Sequence, residues 1–205
     1  MKFRFFTIVF VYFCFPSEMI SQSTLINMSS VSSEFSYEIR YATPNNFIGE
    51  TLYKCAVCML QPEVTESLLK ANSYFYERGY RIKLYDCYRP LDVQKKMWAK
   101  VPRPTYVANP YEKGSIHNKG AAVDITLETL EGCFVDMGTD YDFFGIDAHI
   151  DNYNFSEKIL SNRKLLIEGM RMFGFNTVRT EWWHFSYKKN WSYPTLNVSL
   201  PCEDE

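Results

Sequence analysis

Ser115-Ile116-His117-Asn118-Lys119-Gly120-Ala121-Ala122-Val123-Asp124-Ile125-Thr126-Leu127 is the stretch that decides the architecture. From Ala121 onward the residues alternate. Val123, Ile125 and Leu127 fall on a core face, and Ala122, Asp124 and Thr126 on the other, which is the period of a β-strand. A carboxylate between Val123 and Ile125 is costly to bury unless it is paired or bound to a cation. His117 lies seven residues before it, at the end of a glycine-containing loop. A second segment, Glu181-Trp182-Trp183-His184, adds an imidazole and a carboxylate among bulky apolar residues. The chain has three histidines in all. A lone histidine is more often a hydrogen-bonded or surface group than a ligand, so the combination carries the argument. A catalytic zinc takes three protein ligands plus a water, and it works with a carboxylate that is not a ligand. His117, Asp124 and His184 fit the first requirement and Glu181 the second, although other divalent ions bind such sets too. Residues three apart on a regular strand face opposite ways. Glu181 and His184 can therefore share one site only across an irregularity, which is predicted between Thr180 and His184.

Working outward, residues 22–36 are rich in Ser, Asn and Thr and read as a mobile lead-in. Glu38–Tyr41 looks like a short strand, stopped by Thr43-Pro44-Asn45-Asn46. Pro62 opens a helix that Arg78-Gly79 ends. Tyr80–Cys87 alternates as a strand with one buried face. Pro90 starts a second helix, and the proline-rich residues 101–115 are loop. Residues 128–155 look irregular, and His149 within them reads as surface. Ser156 can cap a helix running to Phe173, with Gly174 beyond it. Thr177–Tyr187 reads as a last strand and the tail from Lys188 as irregular. The order gives one α+β domain with a small, mostly antiparallel sheet flanked by helices.

Composition narrows the function classes. The 205 residues are 46% hydrophobic and 17% aromatic, enough for a sizeable core. The formal charge is -2 and there is no basic run to track a phosphate backbone, so no nucleic-acid partner is expected. Residues 1–21 look like an export signal: Lys2 and Arg4, then an apolar run from Phe5 to Phe15, then polar residues to Ser21, after which cleavage would leave Gln22 first. The run is too short to span a bilayer, and no later segment approaches that length, so the mature protein is expected to have no membrane span and to be periplasmic or secreted. Of six cysteines, Cys14 lies in the leader. The remaining Cys55, Cys58, Cys87, Cys133 and Cys202 are an odd set, so at least one is free or pairs between chains. Connectivity is not readable from spacing.

Ser115-x-His117-x-x-Gly120-x-Ala122-x-Asp124 followed by Glu181-x-Trp183-His184 resembles the zinc D,D-peptidase group that includes the D-alanyl-D-alanine dipeptidases. Arg40-Tyr41-Ala42-Thr43-Pro44-Asn45-Asn46-Phe47-Ile48-Gly49, Tyr85-Asp86-Cys87-Tyr88-Arg89-Pro90 and Asp136-Met137-Gly138-Thr139-Asp140-Tyr141-Asp142-Phe143 are similar to further motifs of the dipeptidase branch. The resemblance implies a catalytic domain over residues 37–205, one zinc ion on His117, Asp124 and His184, and Glu181 as general base and acid. It implies Arg89 as the stabiliser of the tetrahedral intermediate. Tyr41, Asp86, Ser115 and Asp142 would shape a small pocket, Asp142 taking the substrate ammonium. The implied substrate is the free dipeptide D-Ala-D-Ala. Cys87 departs from the small residue usual there, and the antibiotic-resistance members have no signal sequence. Two rivals remain on sequence grounds. One is a D,D- or L,D-carboxypeptidase or endopeptidase acting on wall peptides, which needs an open cleft. The other is a structural zinc module, which has no use for Glu181.

Overall fold

The computed structural model describes residues 25–202. The proposed signal and its cleavage site lie outside them. Strand β1 is Ile26–Asn27, β2 Ser36–Tyr37 and β3 Met59–Leu60. Helix α1 spans Pro62–Tyr76, strand β4 Tyr80–Asp86, helix α2 Leu91–Lys100 and strand β5 Ala122–Thr129. Helix α3 spans Glu157–Met172, followed by β6 Phe175–Val178 and β7 Glu181–Tyr187. Five strands form one sheet in the order β2-β4-β5-β7-β6. Only the β2–β4 pair is parallel. This is the α+β single domain with a mostly antiparallel sheet that the sequence predicts.

The local signals act as expected at three helices. Pro62 occupies the first turn of α1, where its missing N–H costs nothing. Gly79 takes φ +84 beyond that helix. Pro90 is the N-cap of α2, and the Ser156 hydroxyl accepts from the Ile159 amide to start α3. Helices α1 and α3 pack on each other and on the sheet. On the sheet, Ile82 pairs with Leu127, Leu84 with Ile125 and Val123 with Phe185. All six are fully buried, which makes one continuous apolar face.

Four expectations need correction. Residues 25–36 are not a loose lead-in: β1 pairs with β3, and Met28 is fully buried with its amide donating to the Cys58 carbonyl. The strand expected at Glu38–Tyr41 lies earlier, at β2, and Arg40–Ala42 instead closes a 3-10 turn in which the Thr43 amide donates to the Arg40 carbonyl. Thr177–Tyr187 is not one strand. The chain reverses at Arg179-Thr180, so β7 pairs with β6 on one side and β5 on the other. Finally, β5 is buried on both faces through Leu127.

Two register shifts aim side chains. Leu84 pairs with Ile125 but Asp86 pairs with Asp124, so Tyr85 is an extra residue. Without that bulge Asp86 would point to the opposite face. Thr177 pairs with Phe185 while the adjacent Val178 pairs with Glu181, so Trp182, Trp183 and His184 have no counterpart on β6. This is the irregularity predicted before His184. Disulfides join Cys55 to Cys202 and Cys58 to Cys87, and among the described residues Cys133 is free and exposed. Cys55 and Cys58 are therefore not a redox pair with each other.

Gly169 of α3 packs closely against α1. A Cβ there would sit 2.4 Å from the ring of Phe75, which is fully buried on α1. Gly169→Val is expected to cost about 1–3 kcal/mol by overpacking, read from chemical denaturation. An unchanged midpoint would show that the two helices have slack between them.

Candidate active site

The turn before β5 presents His117. Ser115 Oγ accepts from the His117 amide at 3.3 Å, and Asn118 Oδ1 accepts from the Ser115 amide at 2.8 Å, closing a capping box over Ile116–Lys119. Gly120, at φ +64, ends the turn. His117 Nδ1 lies 2.7 Å from the Cys87 carbonyl. A carbonyl can only accept, so the ring proton sits on Nδ1 and the Nε2 lone pair is free for a metal. Strand pairing does the rest. Asp86, Asp124 and His184 are consecutive cross-strand partners on β4, β5 and β7.

His117 Nε2, Asp124 Oδ1 and His184 Nδ1 form a triangle with sides of 3.0, 3.1 and 3.2 Å. Four ligands about 2.0 Å from a tetrahedral zinc stand roughly 3.3 Å apart. The triangle therefore fits such an ion, and its N, N, O donor set suits it. Tyr141, which the sequence reading passed over, donates its hydroxyl to Asp124 Oδ2 at 3.0 Å. That contact holds the outer oxygen while the inner one faces the imidazoles. Glu181 and His184 both line the same cavity of about 220 Å3, as do Arg89, Tyr41, Ser115 and Asp142.

Asp86 does not line it. It is fully buried behind Arg89, with Oδ2 accepting from Arg89 Nη2 at 2.7 Å and Nε at 3.1 Å, and Oδ1 accepting from the Tyr53 hydroxyl at 2.7 Å. The pocket-shaping place inferred for Asp86 is thus corrected to one behind the arginine. Asp142 accepts from the Tyr41 hydroxyl at 2.9 Å and is the one described non-glycine residue with positive φ, at +58. Backbone held in that region is characteristic of sites where surrounding contacts fix a side chain for use. His149 sits apart, against Arg179. The other wall comes from Phe47, Trp183 and the loop 104–108, whose proline content marked it as loop but gave no sign of where it would fold.

A family model described as D-Ala-D-Ala dipeptidase matches residues 21–199. The D-alanyl-D-alanine dipeptidase of Escherichia coli is 31% identical over 184 residues, covering 90% of this chain and 95% of that protein. The D-alanyl-D-alanine dipeptidase of Enterococcus faecium is 30% identical, covering 82% of this chain and 92% of its own. The chain belongs to the D-Ala-D-Ala dipeptidase family. It is a metallopeptidase, hence a hydrolase. The solved structure of VanYB in complex with D-alanine-D-alanine superposes at TM-score 0.41 with 18% identity, covering 63% of this chain and 72% of that one, too loosely to add to the argument. Every residue of the cavity described above falls inside the span matched by the dipeptidase family.

Electrostatics follow from burial in this dipeptidase cavity. Burial pushes Glu181 up to about 7, against the pull of His184 and with Asp124 adding to the rise. Burial and the Asp124 charge hold Asp142 well above the carboxylate range. Burial would raise Asp124, but His117 and His184 hold it far below. For His117 burial lowers the value, yet the Asp124 charge wins and the net shift is upward. Between about pH 5 and 8 the consequences for metal-free protein share one sign, since the depressed Asp124 gives up stability only as pH falls below its unfolded 3.8. Between its ordinary 4.5 and about 7, Glu181 keeps a proton in the folded state that the unfolded chain has released. Stability therefore falls as pH rises through that window. The His117 contribution is present below 6.5 and is likewise lost as pH climbs through its higher folded value. Thermal unfolding of the stripped protein should shift downward from about pH 5 to about pH 8. A midpoint that rises over that range would contradict the assigned shifts.

Proposed function

We propose that this protein is an exported zinc dipeptidase that hydrolyses free D-Ala-D-Ala, and close D,D-dipeptides, to amino acids. The observation that carries the reading is the meeting of His117, Asp124 and His184 in one open-sided triangle beside a half-buried, non-ligand Glu181. A structural metal site has no role for that carboxylate. Zinc held by the three residues would supply a Lewis acid for the scissile carbonyl and a water acidified toward a pKa of about 7.

The chain's own groups do the remaining work. Glu181, with its affinity for a proton raised by burial, takes one from water and hands it to the leaving amine, a transfer that contributes roughly 10²–10⁴-fold. Arg89 cannot lose its proton, and its planar fork offers donors to the developing oxyanion. Asp142 meets the substrate ammonium, whose charge relieves the cost of ionising a partly buried carboxyl. Ser115 Oγ accepts from a backbone amide and retains its own proton to give to the substrate carboxylate. Among the described residues Arg89 is the one Lys or Arg lining the cavity.

Size supports a dipeptide over a wall peptide. A cavity of about 220 Å3 lies below the roughly 300–1,000 Å3 of drug-sized ligand pockets. The relatives named D-alanyl-D-alanine dipeptidase agree with that choice. Export is supported by the leader composition and by two disulfides, which persist in oxidising compartments. Recovery of the processed chain from the cytoplasm would remove that part of the proposal. Export would make salvage or turnover of wall dipeptide the role.

The test compares free D-alanine release from D-Ala-D-Ala and from a muropeptide. The wild type is expected to act on the dipeptide alone. Glu181→Ala should keep zinc and lose about 10²–10⁴-fold or more in turnover, whereas His117→Ala should lose the metal itself. Activity surviving in Glu181→Ala would overturn the mechanism, and comparable muropeptide turnover would favour a carboxypeptidase.

A further inference from the structure

Helix α2 buries Val93, Met97 and, between them, Gln94, which is completely excluded from solvent. A buried amide is costly unless both its ends are engaged. Here both are. Gln94 Oε1 accepts from Arg89 Nη1 at 2.7 Å, and Gln94 Nε2 donates to the Ala108 carbonyl at 2.8 Å. Arg89 and Ala108 both line the cavity. Building on the peptidase reading, we propose that Gln94 is a positioning residue that ties the arginine to the substrate-enclosing loop, so that the two are held as one unit.

The geometry explains why each end is needed. Asp86 grips Arg89 through a single oxygen, Oδ2, which accepts from both Nε and Nη2. One oxygen is a pivot about which the guanidinium plane can rock. Gln94 supplies the second point of attachment, on the Nη1 side, and fixes the plane over the Tyr41 ring, 5.0 Å below. The loop has the complementary problem. Its internal bonds run from the Tyr106 and Val107 amides to the Arg103 carbonyl, so they shape it without anchoring it. Val107 is buried in the core, and two directed contacts add to that anchor. Tyr106 stacks on Phe144 at 4.5 Å and 14°, with Phe47 next in line at 4.9 Å from Phe144, and the Ala108 carbonyl is held by Gln94. The wall that limits substrate length and the group that meets the oxyanion thus share one amide.

Two substitutions separate the ends. Gln94→Met keeps shape and removes both bonds. Gln94→Glu keeps an acceptor for Arg89 and sets an oxygen against the Ala108 carbonyl. In Gln94→Met, kcat on D-Ala-D-Ala per zinc-loaded site should fall at least about tenfold, since small misplacements of catalytic groups carry penalties of that order. In Gln94→Glu, kcat should stay near wild type while KM rises. Hydrogen exchange of the Tyr106 and Val107 amides, followed in metal-free protein, should quicken in both variants. A purely structural glutamine would reduce the folded fraction and leave kcat per loaded site unchanged in both. Unchanged kcat in Gln94→Met, or unchanged loop exchange in both variants, overturns the proposal. Wild-type protein that leaves D-Ala-D-Ala intact overturns the peptidase reading instead, and the exchange comparison then still decides the loop tie.

Discussion

The structure depends on placing the Asp124 carboxylate in the middle of a central strand. Its flanking neighbours Val123 and Ile125 are fully buried, and it is 3% exposed itself. An ionised group in such a place is tolerable only when surrounded by donors or cations. The sheet supplies them from three directions: His184 on β7 and His117 from the turn before β5, which compensate the charge when protonated or when they share a cation with it, and the Tyr141 hydroxyl from the loop beyond it. Asp86 on the other neighbouring strand would add a second negative charge, and Arg89 stands between, paired to Asp86 and 3.9 Å from Asp124. Removing any one of these partners leaves a charge with too little compensation. The cluster is assembled by strand register as much as by individual contacts.

The same strands connect the site to the disulfides. The Cys87 carbonyl sets the His117 tautomer, and Cys87 is bonded to Cys58 beside β3. The next residue, Tyr88, donates its amide to Met59 and its hydroxyl to the Val198 carbonyl. The C-terminal segment is pinned again by Cys202 to Cys55, by the Leu196 amide to the Asn118 carbonyl, and by Asn197 at the start of α2. Asn118 in turn donates to the Arg89 carbonyl. The tail thus braces the two segments that carry the imidazole and the guanidinium. Cys87 adds covalent support at the residue whose carbonyl orients His117.

Much of this was legible in the residues. Proline and glycine at Pro62, Gly79, Pro90 and Gly174 mark helix ends through backbone rules that hold in any fold. The odd spacing of Glu181 and His184 demanded a break in the strand, and it is there. What the residues did not reveal depends on tertiary pairing. The Arg179-Thr180 reversal has no glycine or proline to announce it. The Ser-rich stretch after residue 24 looks solvated, yet Met28 anchors it. Asp86 carries the same chemistry on either side of Arg89, and only the bulge at Tyr85 sends it behind the guanidinium instead of into the cavity. Tyr141 and Gln94 act through partners far away in sequence, which spacing alone does not disclose.

The central claim is that two distant segments grip one divalent ion and leave a coordination position open. Anomalous diffraction at the zinc edge from crystals of metal-loaded protein tests it directly. The account predicts one peak per chain, about 2.0–2.2 Å from His117 Nε2, Asp124 Oδ1 and His184 Nδ1, with water in the remaining position and Glu181 unligated. A peak elsewhere, or a fourth side chain completing the tetrahedron, would contradict it.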